Sequence, residues 1–123
     1  MTTAIDAYQR DTVLSLPREG LLLKIYEALM RRIEEAKLAL ERGDRGRAGT
    51  AISRSLDIVT ALRDALDGST GASCVPRLDQ LYRTVSAWLI EANLTQSPQL
   101  LDSSHKVLGT LKEGWDGAVH SVR

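Results

Sequence analysis

His105 and His120 are the only histidines in this chain, and Cys74 is the only cysteine. Any acid–base, metal or nucleophilic chemistry has to be built around them. In "HKVLG" a glycine follows His105 by four residues, the spacing of a phosphotransfer histidine on a four-helix bundle. Phosphotransfer also needs a cation one turn away. That position is Leu108, and Lys106 falls on another side of the helix. "DSSH" sets Asp102 one turn before His105, the carboxylate–histidine spacing of a di-iron bundle. Such a site requires a second pair, but Gly117 stands where His120 would need its carboxylate. Cys74 has no base beside it and reads as a small, partly buried apolar residue. "GDRGRAG" is glycine- and arginine-rich, but it follows a helix and reads as a solvated turn, not a phosphate-binding loop. The residues therefore indicate no enzyme, no cofactor and no metal site.

Bulk composition agrees with a binding or structural protein. The 123 residues suit a single domain, and 43% hydrophobic content without any Phe implies a core made mostly of aliphatic side chains. Sixteen basic residues balance 16 acidic ones, so no excess positive charge is available for nucleic acid. One cysteine excludes an intrachain disulfide and suits a reducing compartment. The start, "MTTAIDAYQR", has neither a basic n-region nor an apolar run, and no stretch is long and apolar enough to span a bilayer. The expectation is a cytoplasmic protein with no membrane insertion.

The elements that would carry these residues are helices. A short, weakly amphipathic stretch near residues 4–13 holds Ile5 and Tyr8. A long helix follows, initiated by Pro17 and ending at "ERGDRG", with Gly43 as its C-terminal cap. Its stripe is Leu22, Ile25 or Tyr26, Leu29, Ile33, Ala36 and Leu40, at spacings of three and four. The next, from about Gly46 to Asp67, shows Ala48, Ile52, Ser55, Val59, Leu62 and Leu66. After the flexible "GSTGAS", a helix near residues 75–94 shows Leu78, Leu81 or Tyr82, Val85, Trp88 or Leu89, and Ala92. In the last, Ser97 caps and Pro98 opens a helix with Leu101, Leu108, Leu111, Trp115, Ala118 and Val122. Gly109, Gly114 and Gly117 weaken its final third.

Long helices, short connections and heptad-like spacing predict an all-α, antiparallel up-and-down four-helix bundle with a short extra N-terminal helix. The chain reads as one domain, with residues 1–15 a mobile N-terminal segment and residues 16–123 the bundle.

The long first bundle helix carries more apolar surface than a core requires. Lys24, Glu27, Arg31, Glu34 and Glu35 form one narrow polar stripe. The apolar arc from Leu21 to Leu29 covers roughly 200°, twice a usual core-facing width. Burial between two neighbouring helices is one explanation. A groove for the amphipathic segment of a partner, partly filled by the N-terminal segment when empty, is the other. Ala51, Leu56, Ile58 and Ala65 add apolar residues outside the stripe of the following helix.

The order of residues is more specific than their periodicity. "AYQRDTVLSLPREGLLLKIYEALMRRIEEAKLAL", "AISRSLDIVTALRDALD", "LDQLYRTVSAWLIEAN" and a late "LKEGWDGA" resemble the flagellin export chaperone family, FliS, in sequence order from Ala7 to Ala118. The resemblance implies a non-enzymatic cytosolic bundle that binds the disordered C-terminal segment of flagellin. It would prevent premature polymerisation and deliver the cargo to the flagellar type III export gate. Ile5 and Tyr8 match the family's N-terminal motif, which looks like a docking element for cargo or gate. Leu22, Ile25, Tyr26 and Leu29 match the second-helix motif, Ile58 lies in the Ile-Val helix, and Tyr82, Glu91, Ala92 and Asn93 match the fourth. The partner-binding residues expected are Ile5, Tyr8, Leu22, Ile25, Tyr26, Leu29, Ile58 and Tyr82. Two departures stand out: Leu16 before Pro17, where the family often has a small hydroxyl residue, and Thr84 after Tyr82, where it often has a second aromatic. A phosphotransfer bundle using His105 and a homodimeric structural bundle remain as alternatives.

Overall fold

The computed structural model describes residues 18–67 and 75–121, with side chains for 20–66 and 76–116. They form α1 (Arg18–Glu41), α2 (Arg45–Asp67), α3 (Val75–Thr95) and α4 (Pro98–Ser121). Each helix packs on its two neighbours in the cycle α1–α2–α3–α4. Named contacts fix the directions. Glu27 of α1 faces Lys112 of α4, while Lys37 faces Asp102, so these helices run antiparallel. Gly49 near the start of α2 lies beside Asn93 near the end of α3, and Arg63 faces Asp79, so that pair is antiparallel too. The up-and-down four-helix bundle is the architecture expected. The expected extra N-terminal helix around Ile5 and Tyr8 falls outside the described residues, as do Pro17 and Cys74.

Both visible turns are short because the helix ends are chemically terminated. Gly43 takes φ +75°, a conformation that costs glycine nothing, and Asp44 N–H reaches back to the Ala39 carbonyl at 2.9 Å. Gly43 is thus the cap expected of it. Asp44 then starts α2 by accepting the Arg47 N–H on Oδ1 at 3.1 Å. At the other turn Gln96 adopts φ 56°, Ser97 N–H donates to the Ala92 carbonyl, and Ser97 Oγ accepts the Leu100 N–H. Ser97 therefore caps α4, with Pro98 at the first helical position.

The core follows the predicted stripes and resolves their ambiguities. Tyr26, not Ile25, is fully buried on α1, with Leu29, Ile33, Ala36 and Ala39. On α2 the buried residues include Ala48, Ala51, Ile52, Val59 and Leu62. On α3 Tyr82 and Leu89 are chosen over Leu81 and Trp88, joined by Leu78, Val85 and Ala92. On α4 Leu101 and Leu108 are buried. Two hydroxyls sit among these apolar groups. Ser55 donates to the Ala51 carbonyl and Ser104 to the Leu100 carbonyl, each at 2.9 Å, so neither is left unpaired.

Candidate partner-binding surface

The residues expected to meet a partner divide into two groups. Tyr26, Leu29 and Tyr82 are core residues. Each occupies the inward position of its helical stripe and has no solvent-exposed face in the bundle. Leu22, Ile25 and Ile58 are half-buried and pack at the edge of the core, so they retain such a face.

The two core tyrosines have a role of their own. Their hydroxyls hydrogen-bond each other across the bundle at 2.5 Å, from α1 to α3. The Trp115 indole N–H on α4 lies near this pair without completing a hydrogen bond, yet close enough to ease ionisation of Tyr26 slightly. Burial dominates and pushes both phenols above their ordinary range; at Tyr82 the neighbouring Tyr26 pushes the same way. A neutral, mutually satisfied pair in an apolar core is a structural device, not an acid or base for catalysis.

His105 is also accounted for structurally. Its Nε2 is 2.8 Å from Glu34 Oε1. Lys37 Nζ sits 2.8 Å from Asp102 Oδ1, and Lys112 Nζ 3.9 Å from Glu27 Oε1. These pairs form a polar seam between α1 and α4. The hydrogen bond and charge of Asp102 hold the Lys37 ammonium above its usual range. Both members of "DSSH" are therefore engaged with α1 and not with each other. Leu108, where phosphotransfer would need a cation, is buried in the core. Between α2 and α3, Asp79 accepts from Arg63 at 3.2 Å and from Arg83 at 2.8 Å. The Arg63 bond is the main reason that its carboxyl lies below the usual carboxylate range. Among the described residues no group of acidic, histidine or cysteine side chains is arranged to hold a metal.

What remains is apolar surface. Around Tyr26 and Leu29, the first half of α1 presents half-buried Leu21, Leu22, Leu23, Ile25, Ala28 and Met30. A second surface was not singled out in the sequence: Ile90 is 50% exposed and Leu94 74% exposed on α3, with exposed Ala87 one turn before. Spacings of three and four set these three on one face, turned away from Val85, Leu89 and Ala92. That second periodic series, one step off the core stripe, was the available signal. No described helix is long and apolar enough to cross a membrane.

Comparison with known proteins gives this surface a context. The family model for the flagellar protein FliS matches residues 1–122. The chain belongs to the FliS family. The flagellar secretion chaperone FliSB of Pseudomonas aeruginosa is 36% identical over 91 residues, covering 74% of this chain and 72% of that protein. The flagellar secretion chaperone FliS of Vibrio cholerae is 29% identical over 120 residues, 94% of this chain and 88% of its own length. That of Salmonella typhimurium is 27% identical over 104 residues, 84% and 77% of the two chains.

Proposed function

We propose that this protein is a cytoplasmic flagellar export chaperone. It holds the disordered C-terminal segment of flagellin, prevents its premature polymerisation and delivers it to the flagellar export gate. The observation that carries this reading is the FliS match over residues 1–122, with relatives named as flagellar secretion chaperones. The geometry supports it with apolar side chains that the core leaves partly uncovered on α1 and α3. An amphipathic segment that orders as it binds would gain from covering them, and that gain must offset its loss of conformational freedom. Leu22, Ile25 and Ile58 are assigned to cargo contact, while Ile5 and Tyr8 are assigned to docking of cargo or gate.

Calorimetric titration with the C-terminal segment of the host's flagellin tests the reading. A saturable isotherm with a negative heat-capacity change is expected, because apolar burial has that signature. In the same titration Tyr8→Ala should weaken binding, or delivery in a secretion assay, more than it lowers the melting temperature. A folded, helical protein that shows no heat of binding and forms a concentration-dependent dimer would instead assign the apolar surface to self-association.

A further inference from the structure

The seam between α1 and α4 loosens along its length. Lys37 Nζ and Asp102 Oδ1 stand 2.8 Å apart, as do Glu34 Oε1 and His105 Nε2. Next along the seam, Gly109 faces the Met30 methyl. Beyond it Lys112 Nζ and Glu27 Oε1 are 3.9 Å apart, outside hydrogen-bond range. Burial changes at the same place. Leu101, Ser104 and Leu108 are buried, but no residue of α4 from 109 to 116 is. Leu111 and Trp115 hold the inward positions there, and both are only half-buried against the core. The Trp115 indole N–H is enclosed without an acceptor among the described residues.

Opposing forces therefore act on the last turns of α4. Leu111 and Trp115 supply the apolar burial that holds them on the core. Gly109, Gly114 and Gly117 each lower helix stability relative to alanine. An enclosed N–H with no partner favours a state in which water reaches it. Few fully buried contacts and weak helix propensity are the conditions under which a segment opens by itself. We propose that α4 beyond Gly109 is a separate opening unit, which unwinds from α1 as one piece while the rest of the bundle stays folded. Opening takes Leu111 and Trp115 off the core and uncovers Met30. It also uncovers Leu23, which spacings of four and three set on the same face of α1 as Glu27 and Met30. The first half of α1 thus has a second state, with more of its apolar surface exposed. The opposite end of the bundle stays shut, because Ala39, Ala48, Ala51 and Ala92 are buried there and both of its turns are capped.

The unit stands independently of the chaperone reading, and its test needs no cargo. In native-state hydrogen exchange of the full chain, the amides of residues 113–116 and the Trp115 indole N–H should share one opening constant. That constant should be about a hundredfold larger than for the amides of residues 104–108. Low concentrations of urea should raise it for all of them alike, since the opening exposes surface. Gly114→Ala adds a Cβ that meets nothing within 4 Å, so it strengthens the helix without a clash. It should lower the shared constant about fivefold and leave residues 104–108 unchanged. Exchange that rises residue by residue towards the C-terminus and ignores urea would be simple fraying, and would overturn the unit. Protection equal to that of residues 104–108 would also overturn it, because α4 would then open only when the whole bundle does.

Discussion

The two halves of α1 differ in residue types and sit differently in the bundle. From Arg31 to Glu41, buried Ile33, Ala36 and Ala39 stand against exposed Arg31, Glu34, Glu35 and Leu38, as expected of a helix with one inward face. From Gly20 to Met30, only Tyr26 and Leu29 are fully buried and only Lys24 and Glu27 are exposed; every other residue is intermediate. The first half carries more apolar side chain than the core takes up. A half-buried Leu still contributes to stability, but part of its surface remains available to something else. Burial therefore divides apolar residues of the same chemistry into those enclosed by the core and those at its edge.

The largest expected effect breaks this contrast if it is wrong. Leu29→Ala removes a fully buried side chain and should cost about 2–5 kcal/mol in urea unfolding, through lost transfer energy and the cavity left behind. Leu22→Ala and Ile25→Ala, at the core edge, should cost about 1 kcal/mol, because part of each side chain already meets solvent. In cargo titration the order reverses: the two edge variants should weaken binding several-fold, while Leu29→Ala, measured where it is folded, should bind nearly as wild type. Equal stability losses at Leu22 and Leu29 would show that the first half of α1 is ordinary core.

The next test sharpens the assignment of Tyr26 and Tyr82 to the core. Tyr82→Phe leaves the Tyr26 hydroxyl buried without its partner and should cost about 1–3 kcal/mol. Adding Tyr26→Phe should restore part of the loss, since two apolar rings leave no hydroxyl unpaired. The pH dependence follows from the raised phenol pKa values. Above about pH 10 an unfolded tyrosine releases its proton while the buried ones keep theirs, so the folded state binds more protons. Stability is fully present below that pH and falls as pH rises beyond it. The alkaline fall should be shallower in the double phenylalanine variant; identical slopes would mean that the phenols are already solvated.

Much of this arrangement was legible in the sequence, and what was not has identifiable causes. Gly43 and Ser97 announced helix ends because each has a local job, and the α2 stripe was right through Leu62 because periodicity of three and four fixes one face. Periodicity does not choose between adjacent residues such as Ile25 and Tyr26, which lie only about 100° apart. The choice came from α3: Tyr26 turns inward to meet a hydroxyl 56 residues away, and no local pattern contains that partner. Asp44 was missed as the α2 cap because the arginines and glycines around it read as a solvated turn. Ile90 and Leu94 are not legible because the dominant stripe on α3 is Val85, Leu89 and Ala92, and they lie off it. The family resemblance identifies the family, yet it does not say which motif residues point inward.

The smallest expected effect concerns the seam on the other side of α1. His105 bonds Glu34 at 2.8 Å, but Glu34 is largely exposed, and exposed pairs contribute little because water solvates both partners almost as well. His105→Gln should therefore change unfolding free energy by less than about 0.5 kcal/mol, since glutamine can still donate to Glu34. Cargo binding and flagellin secretion should be unchanged, because the seam lies apart from Leu22, Ile25 and Ile58 in role and makes no chemistry. The measurement with the power to overturn this is incubation of wild type with a small-molecule phosphodonor, followed by detection of acid-labile phosphate. Phosphate on His105, absent in the glutamine variant and accompanied by altered secretion, would turn an interhelical contact into a signalling site. Without it, the contrast holds: polar side chains on one flank of α1 pair with α4, and the apolar ones on its first half stay half-buried at the edge of the core.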